Sequence, residues 1–407
     1  MKILMVEDLG FDIGGISSYL INTKKVLKKE GHIIKILSSD INPEEKHSDK
    51  KACVFSDYKF RSFHKNRIIR IIMSIFNPFS YLKTKQILKE FKPDIVHLNN
   101  FLNIASPSIL CCLKNIPAIL TIHDYSIICP TGYKMLSSKV CNSRYGKNCI
   151  KCIGIKGYYY EKIKRKISEI LFKNIDLFIT PSMRLKKDLM KTGILNIRNI
   201  YTGIKLLKYS KLNKGNNLLY MGRLSKEKGI KYLIKAMTDI TKKIPAVHLN
   251  ITGGGPEKEN LERLIKQLKL EKNVSFIGQI PNKEIERYYK ISNILIVPSI
   301  CEEVFPLVGI EAMSVGRPVI GTRVGGIPEW LDDGKTGFLV DPGNSAQIAE
   351  KVIQLFSNRK LMDKMGENGR KKAEQLDIKN HIKEIEIVYQ EVIDKYKNNK
   401  QTPLVAP

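Results

Sequence analysis

Residues 294–321 read ILIVPSICEEVFPLVGIEAMSVGRPVIG, and this stretch carries the pattern that decides the fold. Four apolar residues, 294–297, predict a buried strand that ends at Pro298. The apolar residues 319–321 predict a second strand. Between these strands the sequence predicts a loop and then a helix that starts near Val308. A strand, a helix and a further strand in this order are typical of a parallel α/β sheet.

The same alternation extends over the whole second half of the chain. Strands are predicted at 218–222, 247–252 and 274–277, and helices at 230–238 and 257–268. The glycines Gly253, Gly254 and Gly255 lie between a strand and a helix, where a ligand can approach the backbone closely. A plain tight turn is the alternative interpretation of these three glycines.

The first half of the chain has the same organisation. A predicted strand at 2–6 is followed by a loop with Gly14 and Gly15, and then by a helix at 16–29. Four more strands are predicted at 33–37, 94–98, 118–122 and 177–180.

We therefore predict an α/β fold of two Rossmann-like, doubly wound domains that face each other across a cleft. A length of 407 residues suits two such domains. The predicted order is an N-terminal domain at 1–205, a linker at 206–216, a second domain at 217–380, a helix at 381–397 that packs back on the N-terminal domain, and a disordered tail at 398–407.

The chain carries a large positive charge, most of it in the first half. The formal net charge is +29. Residues 1–210 hold 37 basic and 16 acidic residues, whereas residues 211–407 hold 32 and 24. This distribution indicates an anionic partner such as a nucleic acid, an acidic glycan or a membrane leaflet. A compositional bias toward Lys, Ile and Asn is the alternative explanation.

Neither a secretory signal nor a membrane-spanning segment is predicted. The apolar run 3–6 meets Glu7 and Asp8 at once, and no stretch reaches the ~20 apolar residues of a spanning helix. We expect a cytoplasmic protein, with a peripheral position on the inner face of the plasma membrane as the option that its charge suggests.

One loop of the second domain carries two cations suited to a phosphate ligand. Arg223 and Lys228 lie in residues 222–229, GRLSKEKG, between a strand and a helix. Arginine presents a planar fork to phosphate oxygens, and lysine presents a point charge. Two ordinary loop cations are the alternative.

Two glutamates stand in the stretch quoted first. Glu303 lies in the loop, and Glu311 is expected in the first turn of the helix, whose free backbone N–H groups suit a diphosphate. Glu311 would accept hydrogen bonds from ribose hydroxyls and Glu303 from sugar hydroxyls. A Glu311 that only complements the helix dipole is the alternative.

These segments resemble the donor-site signature of the retaining glycosyltransferases of family 4, which have the GT-B fold. The resemblance rests on two glutamates with seven residues between them and on five further segments, AMSVGRPV at 312–319, GGIPE at 325–329, GKTGFLV at 334–340, GRLSKEKG at 222–229 and FIGQ at 276–279. The segments follow the order found in that family and span about 215–350.

The resemblance implies a role for each matching residue. Arg223 and Lys228 would neutralise the diphosphate of a nucleotide-sugar, so no metal or other cofactor would be needed for catalysis. Glu311 would bind the ribose, and Glu303 the transferred sugar. Backbone near Gly278 and Ile280 would contact the base, and Gly254 would face the donor.

The sequence departs from the family at one position of this site. Many members have glycine where this chain has Pro306, which lacks an N–H group. The phosphate must then be held by the N–H groups of Leu307 and Val308.

The resemblance is looser in the first domain. Gly14 and Gly15 match the family's N-terminal loop near the acceptor and the diphosphate. The segment TIHDY at 121–125 matches a family variant with His-Asp. By this resemblance His123 would lie beside the donor sugar and help to stabilise positive charge as the glycosidic bond breaks. His97 lies within the predicted strand at 94–98 and is expected to be a hydrogen-bonded core or cleft residue.

Four cysteines, Cys129, Cys141, Cys149 and Cys152, cluster in a Gly- and Lys-rich insertion. A CxxC pair with two upstream thiols fits a structural zinc site beside the acceptor cleft. Free thiols in a cytosolic loop are the alternative.

The segment 61–92 combines eight basic residues with a single acid, Glu90. Six apolar residues share one predicted helical face: Ile68, Ile69, Ile71, Ile72, Ile75 and Phe76. The face suits docking on anionic lipid near a lipid-linked acceptor. A helix that packs on its own domain is the alternative, and we favour it on sequence grounds.

The expected activity is transfer of a sugar from a nucleoside diphosphate sugar to a glycan or lipid-linked glycan, in bacterial cell-surface polysaccharide or lipopolysaccharide biosynthesis. Retention of the anomeric configuration is implied by the resemblance alone. A nucleotide-sugar 2-epimerase of the same fold is one alternative. A basic nucleic-acid-binding protein is another, although no recognition motif is present and we expect no nucleic-acid partner.

Overall fold

The computed structural model describes residues 1–10, 14–41, 55–62, 67–136 and 139–401. They divide into two compact units. The first consists of Met1–Gly132, Ser143–Gly203 and the segment from Ile378 onward, and the second of Tyr133–Asn142 and Ile204–Asp377.

The described residues form fifteen strands. They are β1 (Lys2–Val6), β2 (Ile33–Ser39), β3 (Tyr58–Phe60), β4 (Ile95–Leu98), β5 (Ala118–Thr121), β6 (Met135–Leu136), β7 (Lys139–Val140), β8 (Leu177–Thr180), β9 (Ile197–Asn199), β10 (Asn217–Met221), β11 (His248–Thr252), β12 (Val274–Gly278), β13 (Ile294–Val297), β14 (Val319–Thr322) and β15 (Gly337–Val340).

The same residues form thirteen α-helices. They are α1 (Gly14–Lys29), α2 (Arg67–Met73), α3 (Pro78–Phe91), α4 (Ile150–Leu171), α5 (Met183–Met190), α6 (Ile230–Lys243), α7 (Lys258–Gln267), α8 (Ile285–Ile291), α9 (Leu307–Ser314), α10 (Ile327–Trp330), α11 (Ser345–Ser357), α12 (Arg359–Gln375) and α13 (Ile378–Gln401).

The first unit is built on a seven-stranded sheet with the order β3-β2-β1-β4-β5-β8-β9. All of its neighbouring strands are parallel. The residues of β4 and β5 are buried along their whole length, as is typical of a parallel sheet that is covered on both faces. The direction of strand addition reverses between β1 and β4, which creates a crevice at the carboxyl ends of these two strands.

The second unit contains a six-stranded parallel sheet with the order β12-β11-β10-β13-β14-β15. Its core joins sheet residues such as Leu218, Ile251 and Ile320 to apolar residues of α6 and α11. Here the order reverses between β10 and β13. The structure therefore confirms the predicted α/β fold with two doubly wound parallel sheets.

The segment that was predicted as a linker, 206–216, belongs to the second unit. The buried guanidinium of Arg317 donates to the backbone oxygens of Ser210 and Lys211, at 2.9 and 3.2 Å. Arg359 donates to the carbonyl oxygens of Asn213, Lys214 and Gly215 at 2.8–2.9 Å. These two arginines hold the segment against its own unit, an arrangement that its Lys, Asn and Gly composition does not reveal.

The last helix, α13, belongs to the first unit. His381 and Tyr389 on this helix are buried, and they contact Tyr19 and His97 respectively. The helix continues to Gln401, so residues 398–401 are helical and not a disordered tail. Residues 402–407, the rest of that predicted tail, lie outside the described residues.

The basic amphipathic segment forms α2 and α3, and the structure does not support our preferred interpretation of it. Ile68 and Ile72 on α2 are 72% and 58% exposed, so the predicted apolar face is not packed on its own domain. Only part of that face, including Ile69 and Ile75, is half-buried. Within the described ranges, no helix is long and apolar enough to cross a membrane.

Candidate active site

The candidate site of the second unit lies where the order of its sheet reverses. One loop leaves β10 and contains Arg223 and Lys228, and another leaves β13 and contains Glu303. The two loops are joined by a backbone hydrogen bond of 2.9 Å from the N–H of Ile300 to the oxygen of Glu227. The carboxyl ends of neighbouring strands thus bring together residues that are 75 positions apart.

An ion pair is the central feature of this site. Lys228 Nζ lies 2.7 Å from Oε1 of the buried Glu303, and the same oxygen accepts a hydrogen bond of 2.5 Å from Ser299 Oγ. Burial is the largest single effect and disfavours the charged amine, but the charge and the hydrogen bond of Glu303, with additional contributions from Cys301 and Glu227, together raise the pKa of Lys228. The amine is therefore charged at neutral pH.

The neighbouring thiol of Cys301 is buried. Burial, together with the negative charge of Glu303, raises the pKa of Cys301, so that the thiol stays protonated.

Two glycines allow these loops to pack closely. A Cβ at Gly229, whose φ is 67°, would lie 2.0 Å from the oxygen of Pro298. A Cβ at Gly325, whose φ is 54°, would lie 1.9 Å from the oxygen of Glu303, and the next N–H, of Gly326, donates to that oxygen at 2.7 Å. Because any other residue would push the loops apart, both glycines are required for the position of the ion pair.

Glu311 lies on α9, in its second turn and not in the first turn as predicted, because the eight-residue helix already begins at Leu307. Its Oε2 accepts a hydrogen bond of 2.8 Å from the hydroxyl of Tyr289 on α8. Burial raises the pKa of Glu311, and the Tyr289 hydrogen bond only partly opposes that effect. The helix-dipole interpretation loses its basis, since the dipole acts within the first turn.

Helix α9 begins directly after Pro306 and has no side-chain cap at its N-terminus. Pro306 is the N-cap residue, has φ −70° and ψ 107°, and makes no side-chain capping bond. A proline side chain has no acceptor for the first N–H groups of the helix. Leu307 and Val308 are half-buried at this helix start.

Arg223 is exposed in the β10 loop, and its Nη1 lies 3.4 Å from the hydroxyl of Tyr133. The backbone oxygen of Arg223 accepts a hydrogen bond of 2.8 Å from the buried Tyr220. The backbone of Arg223 is thus fixed, whereas its guanidinium extends into solvent, where an anion can reach it.

The loops after β11 and β12 are tied to the same site. The N–H of Leu224 donates to Gly254 oxygen at 2.9 Å, and the N–H of Gly253 donates to Gly278 oxygen at 2.7 Å. Ile280 follows in the β12 loop and is half-buried. Gly254, in the loop after β11, is therefore bonded directly to the loop of Arg223, and Gly278, the last residue of β12, is bonded to the β11 loop in turn.

His123 of the first unit follows β5, and its ring is hydrogen-bonded to the side chain of Asn99. Its Nε2 lies 2.9 Å from Asn99 Oδ1, while Asn99 Nδ2 donates to His97 oxygen at 3.5 Å. With the amide oriented this way, Nε2 of His123 carries the proton. Burial, with a smaller contribution from His381, lowers the pKa of His123 to about 3, so the ring is neutral at physiological pH.

A shallow pocket opens at the carboxyl ends of β4 and β5. It is lined by residues of two loops, including Asn99, Leu102, His123, Asp124 and Ser126. His97 lies beneath these loops and is buried, with Nδ1 2.7 Å from Tyr389 Oη and Nε2 2.7 Å from Thr121 Oγ1. His97 is therefore the hydrogen-bonded core residue that the sequence predicts, and His123 is the histidine that borders the pocket.

Gly14 and Gly15 are the first residues of α1 and are exposed. The helix begins two residues earlier than predicted. Residues 11–13 of the predicted glycine loop lie outside the described part of the chain.

The structure does not show the predicted zinc site. None of the residues that the structure describes form a group of three or more His, Cys, Asp or Glu that could hold a metal ion, and all four predicted ligands are among them. Cys141 belongs to the second unit, whereas Cys129, Cys149 and Cys152 belong to the first. Cys129 Sγ instead lies 3.2 Å from the hydroxyl of Thr131.

Sequence reasoning missed several side chains that contact the candidate residues, among them Ser299, Tyr289, Asn99 and Tyr133. Ser299 and Asn99 have a signal in hindsight, because each is a polar residue within two positions of the carboxyl end of a strand. Tyr289 lies on α8 and Tyr133 in the cysteine-bearing insertion, and neither pattern indicates a site.

Sequence profiles of known families match nearly the whole chain. The profile described as Glycosyltransferase Family 4 matches residues 13–206, and the profile described as Glycosyl transferases group 1 matches residues 206–372. The chain belongs to the family 4 glycosyltransferases. The two matched segments of this glycosyltransferase meet close to Ile204, where its second compact unit resumes.

Individual relatives agree with this assignment. N-acetyl-alpha-D-glucosaminyl L-malate synthase of Bacillus anthracis is 34% identical over 184 residues, which cover 45% of this glycosyltransferase and 47% of the relative. The chain is thus matched to about half the length of that relative.

Solved structures of similar fold are matched over almost their full length. Sucrose-phosphate synthase from Thermosynechococcus elongatus aligns with a TM-score of 0.76 at 22% identity, over 97% of this chain and 99% of the other. Anabaena HepE in complex with UDP aligns with a TM-score of 0.72 at 19% identity, over 96% and 100%. At these identities the likeness shows the fold, which is the predicted GT-B fold.

Proposed function

We propose that this glycosyltransferase transfers a sugar from a nucleoside diphosphate sugar to a hydroxyl of a glycan or lipid-linked glycan, with retention of the anomeric configuration. The observation that carries the proposal is the Lys228–Glu303 pair at the point where the order of the sheet reverses. A sugar diphosphate needs a fixed cation beside its phosphates and an acceptor of hydrogen bonds beside its sugar. The pair provides both groups 2.7 Å apart.

The leaving diphosphate is stabilised by positive charge. Lys228 and Arg223 lie in one loop. Lys228 is half-buried and Arg223 is exposed. The N-cap residue of α9, Pro306, offers no side-chain acceptor to the first N–H groups of the helix. In the proposed complex the N–H groups of Leu307 and Val308 donate to the phosphate oxygens instead. These groups neutralise the charge that develops on the diphosphate, so the proposed reaction needs no metal for that purpose.

Two carboxylates orient the rest of the donor. Oε1 of Glu303 is bound by Lys228 and Ser299, and its Oε2 accepts hydrogen bonds from the sugar hydroxyls. Glu311, oriented by Tyr289, accepts from the ribose hydroxyls. Backbone groups near Gly254, Gly278 and Ile280 contact the base, because their loops lie beside that of Arg223.

His123 acts on the transferred sugar in this proposal. The ring is neutral and borders a pocket at the carboxyl ends of β4 and β5, so it offers no positive charge to the transition state. Together with the adjacent backbone, it stabilises the oxocarbenium-like sugar. Gly14 and Gly15, exposed at the start of α1, allow the backbone to approach the acceptor and the diphosphate.

We place the reaction in bacterial cell-surface polysaccharide biosynthesis, at the cytoplasmic side of the plasma membrane. The support is the positive charge of the first half of the chain, which suits acceptors that are anionic or carried on lipid.

A panel of nucleotide-sugars tests the reaction. Each donor is incubated with the wild-type protein and with Glu303→Ala, and the release of nucleoside diphosphate is measured with and without glycan and lipid-linked acceptors. We expect one donor to be consumed by the wild type only. Consumption of no donor, or equal rates for the two proteins, would reject the proposal.

A further inference from the structure

The first unit carries an unusual concentration of exposed apolar side chains on two helices. Of the twenty large apolar residues that are exposed within the described residues, eight lie in 68–76 or 155–170. The members on α2 and the turn after it are Ile68, Ile71, Ile72 and Phe76, and those on α4 are Ile155, Tyr159, Ile163 and Ile170. Such a concentration is more than scattered exposure of single residues and indicates a binding surface.

The two sets of residues are neighbours in space. The hydroxyl of Ser74, directly after α2, is hydrogen-bonded to the hydroxyl of Tyr160 on α4. Ile72 precedes Ser74 by two residues, and Tyr159 precedes Tyr160 by one. We call the eight apolar residues together the α2–α4 surface.

The stripe on α4 has regular helical spacing. Ile155, Tyr159 and Ile163 follow each other at intervals of four residues, after the non-helical Gly154, whose φ is 70°. Residues four positions apart lie above one another on a helix, so the three side chains form a continuous ridge. They are 64%, 58% and 55% exposed, which means that neither unit's core uses this ridge.

The charges around the surface are almost all positive. Lys156, Lys162 and Lys166 are exposed beside the ridge of α4, and Arg70 is exposed between the isoleucines of α2. The opposing charges on these helices are few, since α2 has no acid and α4 has only Glu161 and Glu169. Glu161 is itself 3.5 Å from Arg165. An apolar ridge with lysines along its edges matches the chemistry of an anionic bilayer surface, which is apolar below and negatively charged above.

A second copy of the chain is a poorer occupant. Two copies that meet through the α2–α4 surface bring the same lysines and arginine against each other, and like charges oppose such an interface. An anionic lipid leaflet neutralises these charges instead of adding to them.

We propose that the α2–α4 surface docks the protein on an anionic lipid bilayer, with Ile68, Ile72, Ile155, Tyr159 and Ile163 inserted at the level of the head groups. This surface deepens the proposed function and rests on it for its biological purpose. Arg165 of α4 donates to the backbone oxygen of Ser126, which lines the pocket of His123, so docking through α4 would hold this pocket near membrane-borne acceptors. Docking itself is a physical property that the isolated protein either has or lacks.

Vesicle binding tests the proposal directly. The full-length protein is sedimented with vesicles of phosphatidylcholine alone and with vesicles that contain phosphatidylglycerol, at about 0.15 M and about 1 M salt. We expect binding to the anionic vesicles only, with a loss of at least about fivefold at high salt. Equal binding to both vesicles, or none to either, would overturn the proposal.

Two double variants locate the contact. Ile68→Glu with Ile72→Glu, and Ile155→Glu with Ile163→Glu, should each lower the partition coefficient for anionic vesicles by about tenfold or more, since they remove apolar contact and add repulsion. The matched control is Leu195→Glu with Ile387→Glu, two residues of the same unit that are also exposed, at 75% and 58%. The control should bind as the wild type does.

Two measurements separate the failures of the two proposals. The melting temperature shows whether each variant is folded, and UDP binding reports on the proposed donor site. Variants that keep UDP binding and lose vesicle binding support the docking surface. Folded variants that bind vesicles like the wild type overturn the proposal. It is also overturned if the wild type is a dimer and the same substitutions dissociate this dimer without changing vesicle binding.

Discussion

The ammonium of Lys228 and the carboxylate of Glu303 lie 2.7 Å apart, although the two residues are carried by loops that follow different strands of the second sheet. Their strands, β10 and β13, are neighbours at the point where the order of the sheet reverses. A partly buried pair of this kind is costly to desolvate and adds little to stability by itself. Its position at the carboxyl ends of these strands points instead to a ligand that needs both charges.

The first prediction concerns the charge of Glu303. Glu303→Gln keeps the size of the side chain and its bond to Ser299 but removes the negative charge from the sugar subsite. We expect the turnover of the donor to fall about 100-fold or more, as for other preorganised polar groups of active sites, while the binding of nucleoside diphosphate is retained. Steady-state kinetics and calorimetry measure the two effects.

The control for this substitution is Glu350→Gln, which removes one carboxylate from an exposed position on α11, where 63% of the side chain is accessible. It should leave both properties unchanged. A Glu303→Gln protein with wild-type turnover would show that the carboxylate has no part in the reaction.

The second prediction concerns the close approach at Gly325. Gly325→Ala places a Cβ 1.9 Å from the oxygen of Glu303 and should displace the loop that carries this residue, with a loss of unfolding free energy of about 2 kcal/mol or more and a large loss of turnover. Gly334→Ala is the matched control, because Gly334 also has a positive φ, 74°, but no atom within 4 Å of the added Cβ. It should cost only about 1 kcal/mol and keep activity. Equal effects of the two substitutions would contradict the role of the contact.

The third prediction follows from the burial of Glu311. Its pKa is raised in the folded state, so the folded protein favours the protonated form, and ionisation of Glu311 lowers stability as the pH rises. Glu311→Gln should therefore raise the melting temperature at pH 8, by on the order of 1–3 °C, and change it less at pH 4. The same variant should bind nucleoside diphosphate more weakly, because an amide accepts less strongly from ribose hydroxyls.

Tyr289→Phe provides a second check on the same group, since it removes the 2.8 Å hydrogen bond to Glu311 and keeps the ring. We expect about tenfold weaker binding of nucleoside diphosphate. Glu311→Gln with lower stability at pH 8, or with unchanged affinity, would contradict this account.

The fourth prediction concerns His123. Its pKa is lowered to about 3, below the usual value of 6.5, so the folded state favours the neutral ring. The stability that this group contributes is fully present above pH 6.5 and is lost as the pH falls toward 3. The difference in unfolding free energy between wild type and His123→Gln should therefore decrease by about 1.4 kcal/mol for each pH unit from 6 to 4.

Denaturant unfolding at several pH values measures this difference, and nuclear magnetic resonance of the His123 ring should show no titration between pH 5 and 8. A ring that titrates near 6.5 would contradict the neutral state that the proposed reaction requires.

Much of this architecture follows from short-range patterns in the sequence. The apolar runs that precede Pro298 and Pro181 correspond to β13 and β8, and the strand–helix alternation of each half predicts a parallel sheet. Strands of three residues at the sheet edges, β3 and β9, were not predicted, because so few residues carry no periodic signal.

Features that depend on contacts between residues far apart in the sequence could not be predicted from the sequence. Arg317 resembles any loop cation, yet it is buried and holds residues 210–211 to the second unit. The cysteines 129–152 have the spacing of a zinc site, but Cys141 belongs to a different unit from the other three. Glu303 and Lys228 were identified through the family's motifs, whereas their pairing and the Ser299 contact depend on the order of the strands.

The affinity for nucleoside diphosphates tests the central claim most directly. Calorimetry compares the wild type with the single variant Arg223→Ala and with the double variant that carries both Arg223→Ala and Lys228→Ala. The control is a second double variant, Lys226→Ala with Lys231→Ala, which removes two exposed cations from the same loop and the adjoining helix. Arg223 is itself exposed, so its single variant is expected to fold. We predict about tenfold weaker binding for the single variant, at least about 100-fold for the double variant, and wild-type affinity for the control. Unchanged affinity of the folded double variant would contradict the account.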